Sequence, residues 1–95
     1  IAPAISEQIY TLEDALLFAE MQMVIIRNAD AIKIACQSLL TNISACIMTE
    51  KGGGHWLQTI YYPFYYFANY AKGIVLNVSS TGPVYDCKNL TMCLM

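Results

Sequence analysis

Residues 32–76 read IKIACQSLLTNISACIMTEKGGGHWLQTIYYPFYYFANYAKGIVL. Ile32, Ile34 and Cys36 alternate on one side of a short β-branched segment, which favours a strand over 32–40. In that pattern Cys36 reads as a small core residue. A long loop follows, with one short strand expected at 45–49 and a flexible turn at Glu50–Gly54. Trp56, Ile60, Phe64, Phe67 and Ala71 then recur at helical spacing. Pro63 fits a helix only in its first turn, so the helix is expected over 62–72, with Lys72 in its last turn and Gly73 as its stop. Ile74–Val78 reads as a strand, Ser79–Pro83 as a turn and Val84–Asp86 as a further extended piece.

Upstream, Thr11-Leu12-Glu13-Asp14 is a helix start. Thr11 can cap free backbone N–H groups, and two acids sit at the positive end of the helix dipole. Leu12, Leu16, Ala19, Met23 and Ile26 carry the helix from 12 to about 28. Ala15, Phe18, Val24 and Ile25 widen its apolar stripe, as expected of a helix with more than one packing neighbour. A helix joined by the short turn at 28–31 to a strand is half of a βαβ unit.

At 95 residues the chain allows one small domain, yet it is 57% hydrophobic and 13% charged, with a mean hydropathy of +0.44. Small domains need polar residues to cover their large relative surface. A membrane protein, an obligate partner and an excerpt from a larger interior would each explain the excess. The runs 15–26 and 56–76 are too short or too interrupted for a membrane span, which needs about 20 mostly apolar residues. No basic n-region with an apolar core marks a leader, and the opening Ile1-Ala2-Pro3 is expected to continue from an upstream segment. A net charge of −2, with scattered Lys and Arg, argues against nucleic acid.

Cys36, Cys46, Cys87 and Cys93 form no C-x-x-C pair, and His55 has no zinc-like spacing to them, so no metal site is expected. Their number leaves disulfides open, and a reducing cytoplasm is the expected compartment. Gly52-Gly53-Gly54 lacks the G-x-x-x-x-G-K-S/T pattern of a phosphate loop. Asn42, Asn77 and Asn89 begin N-x-S/T sequons, which matter only on a secretory route; Asn42 lies in a segment read as buried. The tyrosines of 61–70 are expected to wedge between layers with their hydroxyls reaching water or carbonyls.

Tyr10–Leu16, Asn28–Asp30, Ile32–Cys36, Asn42, Ile47–Glu50, Gly52-Gly53, Trp56, Gln58–Phe64 and Tyr85-Asp86, in this order, resemble the C-terminal part of α-L-arabinofuranosidases of glycoside hydrolase family 51. The resemblance implies an α/β fold: residues 1–73 as the last βα portion of a TIM (β/α)8 barrel, and 74–95 as the first strands of a C-terminal β-sandwich. On that template 12–28 is the seventh barrel helix, 32–40 the eighth strand and 62–72 the last helix. It further implies a retaining exo-acting enzyme, with an arabinose-containing oligosaccharide as the parent's partner and no cofactor. A homo-oligomer of the parent is compatible with it.

Retaining hydrolysis needs two carboxylates about 5–5.5 Å apart. The family's pair, both glutamates on earlier strands, would lie before Ile1, so no catalytic residue is expected here. Glu50 alone among the acids follows a barrel strand, and it reads as a solvated loop charge. The end of strand eight faces the pocket, and the resemblance puts forward Gln37, Leu39, Asn42 and Trp56 as sugar-binding positions. Leu39 stands where the family often has a sugar-contacting Gln, and Cys46 where it usually has Pro. Gln37 shares the strand face of Leu39 but lies roughly 6–7 Å away along it. The alternative from the residues alone is a non-enzymatic apolar interaction module or obligate subunit.

Overall fold

A computed structural model describes residues 7–87 and 90–93; Ile1–Pro3 and the sequon at Asn89 lie outside the described residues. Helix α1 spans Leu12–Arg27, strands β1 and β2 span Ile47–Thr49 and His55–Leu57, helix α2 spans Tyr61–Tyr70, and strands β3 and β4 span Val84–Cys87 and Leu90–Cys93. The strands make two separate antiparallel pairs, β1 with β2 and β3 with β4.

Helix α1 begins where local chemistry lets it. The Thr11 hydroxyl accepts from the Asp14 amide at 3.3 Å, and the Asp14 carboxylate accepts from the Thr11 amide at 2.6 Å, a reciprocal capping box. At the other end Arg27 suits the negative end of the dipole. The Asn28 side-chain amide donates to the Val24 carbonyl at 2.8 Å, which also accepts from the Asn28 backbone amide at 3.2 Å.

Helix α2 has no side-chain cap. The Tyr61 amide instead donates to the Gln58 carbonyl at 3.0 Å. Pro63 is the third helical residue, where a missing N–H costs no ladder bond. The helix stops at Tyr70, short of Lys72, and Gly73 turns the chain away at φ +104°. Trp56, expected to begin the helical spacing, lies in β2 opposite Met48.

Two expected strands are not present as such. Residues 32–40 carry no strand, although the alternating pattern predicts one. A strand's hydrogen bonds lie between segments, and among the described residues nothing pairs with Ile32–Leu40. Leu39 at φ +63° also breaks the extended run. Cys36, expected in a core, is exposed for the same reason. Ile74–Val78 likewise lacks a ladder, and Ile74 is 91% exposed.

Ala15, Ala45, Cys46, Met48 and Ile60 make up the described apolar core. Helices α1 and α2 pack together, but Ile25, Ile26, Phe64 and Phe67 line an open cleft of about 340 Å³ instead of a closed interface. The radius of gyration is 15.8 Å, against about 12–13 Å for a compact domain of this length. The helices are satisfied internally, and the apolar surface they carry remains largely open.

The capping box makes α1 sensitive to acid. Hydrogen bonds from the Thr11 backbone and then its side chain hold the Asp14 carboxyl below the usual carboxylate range. A lowered folded-state value means this contribution is full above the unfolded carboxylate pKa and is lost as pH falls through the folded one. Circular dichroism at 222 nm should show helicity falling in that acidic window, with a smaller change in Asp14→Asn. Thr11→Ala should lower the stability of the chain by about 1 kcal/mol at neutral pH.

Candidate functional site

The site is organised by the way the chain is tied together around Gln58. This side chain is 6% exposed. Its Nε2 donates to the Gln8 carbonyl and to the Ala45 carbonyl, both at 3.0 Å. Its Oε1 accepts from the Tyr10 amide at 3.1 Å, and its own backbone amide donates to the Cys46 carbonyl at 2.9 Å. One residue therefore joins the segment before α1, the loop before β1 and the approach to α2. A second tie runs alongside, from the Thr59 hydroxyl to the Thr11 carbonyl at 2.7 Å. The Tyr10 hydroxyl lies 2.8 Å from Gln8 Oε1 and 3.0 Å from the Ser44 carbonyl.

The loop so anchored carries three of the expected sugar-binding positions, Gln37, Leu39 and Asn42, while Trp56 lies in β2, and the structure separates them. Gln37 and Leu39 line one cavity of about 230 Å³, together with Leu40, Cys46, Ile47, Tyr61 and Phe64. Gln37 donates to the neighbouring Ser38 carbonyl at 3.3 Å.

Asn42 has a different environment. Its Nδ2 donates to Thr49 Oγ1 at 2.9 Å, and its Oδ1 accepts from the Thr49 amide at 2.8 Å. Asn42 is half-buried and sits at φ +62°, a region Asn tolerates well. Ile43 follows at φ +60°, a costly conformation for a β-branched residue, and its carbonyl accepts from the Gln8 amide at 3.0 Å. Trp56 is 48% exposed and faces Met48 across the β1–β2 ladder. Asn42 and Trp56 thus do not line the cavity that holds Gln37 and Leu39.

Gln37, Tyr61 and Cys46 are the lining residues whose side chains carry polar or thiol groups, and no Asp or Glu lines the cavity. It can hold and orient a ligand but has no acid–base pair of the kind glycosidic cleavage uses. Burial pushes the Cys46 thiol up, which makes it a poor nucleophile. Glu50 serves to close the β1–β2 hairpin. Its amide donates to the Gly54 carbonyl at 3.1 Å, and its carbonyl accepts from the Gly53 amide at 3.1 Å. Among the described residues no group of three or more His, Cys, Asp or Glu side chains comes together in metal-binding geometry.

Sequence reasoning missed Gln58 as an organising residue. The available signal was an amide, followed by the hydroxyl of Thr59, between the apolar Trp56-Leu57 and Ile60. A buried polar side chain in such a place has to find several partners.

The chain belongs to the α-L-arabinofuranosidase C-terminal domain family, whose model matches residues 2–92. It is 46% identical over 91 residues to an intracellular exo-α-(1→5)-L-arabinofuranosidase of Halalkalibacterium halodurans, covering 96% of this chain and 18% of that protein. It is 48% identical over 87 residues to the enzyme of the same name from Acetivibrio thermocellus, covering 90% of this chain and 17% of that protein. An exo-α-(1→6)-L-arabinofuranosidase of Bifidobacterium longum is 41% identical over 73 residues, covering 77% of this chain and 14% of that protein. The chain thus spans less than a fifth of the length of the curated relatives it matches.

The geometry of the tie and of the hairpin can each be probed by substitution. Gln58→Leu strips the Tyr10 amide of its acceptor and two carbonyls of their donor. At roughly 1–3 kcal/mol for an unmet buried group, hydrogen exchange of the Tyr10 amide should speed up about tenfold or more. In the hairpin, Gly52 needs φ +70°, and a Cβ on Gly53 would meet Glu50 Cβ at 2.9 Å, whereas nothing lies within 4 Å of one on Gly54. Ala at 52 should therefore cost about 1 kcal/mol, Ala at 53 should weaken the turn by displacing the Glu50 side chain, and Ala at 54 should cost much less, as read from exchange of the Glu50 amide.

Proposed function

We propose that this chain is the C-terminal portion of the catalytic unit of a retaining, exo-acting α-L-arabinofuranosidase, and that it is inactive alone. It would contribute a wall of the pocket while the two catalytic glutamates come from earlier in the parent enzyme. The observation that carries this reading is the family match over residues 2–92 combined with a cavity that no carboxylate lines. In the parent, residues 1–73 would close a (β/α)8 barrel and 74–95 would open a β-sandwich. The segments 32–40 and 74–78, which pair with nothing among the described residues, would then be strands whose ladder partners belong to the rest of that enzyme. Ile34, 83% exposed here, would be covered by those neighbours.

The substrate class is terminal α-L-arabinofuranosyl groups on arabinose-containing oligosaccharides. Relatives named for (1→5) and for (1→6) linkages match this region at similar identity, so the proposal stops short of a linkage. Relatives named as intracellular support action in the cytoplasm. Leu39 replaces a hydrogen-bonding group with an apolar one at a pocket-facing position, which would weaken the hold on a sugar hydroxyl.

The exposed apolar surface also fits a non-enzymatic interaction module. The two readings divide on autonomy: a module sediments as one species and unfolds cooperatively, whereas an excerpt aggregates or lacks fixed packing. The direct test is an assay of the purified chain on an aryl α-L-arabinofuranoside. No turnover above buffer is expected, and clear turnover would overturn the proposal.

A further inference from the structure

We draw no further inference here: the strongest candidate, the exposed tyrosine ridge of α2 formed by Tyr62, Tyr65, Tyr66 and Tyr70, is an unpartnered helix face, and nothing in the structure shows what covers it.

Discussion

A single buried amide holds the described structure together. Gln58 reaches Gln8, Tyr10 and Ala45 with its side chain and Cys46 with its backbone. These partners are far apart in sequence, so the bonds fix the entry to α1 and the loop before β1 against the same point. In a low-dielectric surrounding each bond is stronger than in water, and each would be costly to leave unmet. A leucine of similar size could fill the space but could not join three backbone segments.

The consequence for the site is positional. Cys46 lines the cavity and is held from behind by the Gln58 amide. Tyr61 lines it too, and its amide is held by the Gln58 carbonyl. The cavity walls on the β1 and α2 sides are therefore set by one residue that is not among those lining it. Asn42 acts comparably nearby, clasping Thr49 and stabilising a left-handed turn in the same loop. Both residues belong to the framework of the site, and Gln37 and Leu39 belong to its surface.

The chemistry of the walls limits what this portion can do. Shape, a few hydrogen-bonding groups and apolar contact are available, and paired carboxylates are not among the lining residues. Glu50 closes the β1–β2 hairpin through its backbone amide and carbonyl. Catalysis by charge needs preorganised groups facing the reacting bond, and the residues lining this cavity supply no carboxylate pair. The open cleft between α1 and α2 and the run at 74–78 leave apolar side chains exposed among the described residues.

Helices, caps and turns were legible in the sequence because their causes are local. Thr11 and Asp14 are three residues apart, Pro63 sits in the first turn of α2, and Gly73 supplies the turn beyond it. Each satisfies or spares backbone groups within one or two helical turns. The strand expected at 32–40 is absent from the described structure, because its hydrogen bonds depend on a neighbour that alternation cannot supply. Trp56 at helical spacing misled for a related reason: pairing with Met48 across the Gly-rich turn places it in β2. Which of Gln37, Leu39, Asn42 and Trp56 share a cavity, and that Gln58 ties down the loop carrying the first three, followed only from bringing residues 8, 45 and 58 together in space. The sequence by itself determined where the chain coils, since that is decided by neighbours along it. The tertiary structure decided what is buried, what pairs and what faces the cavity, since those depend on neighbours across it.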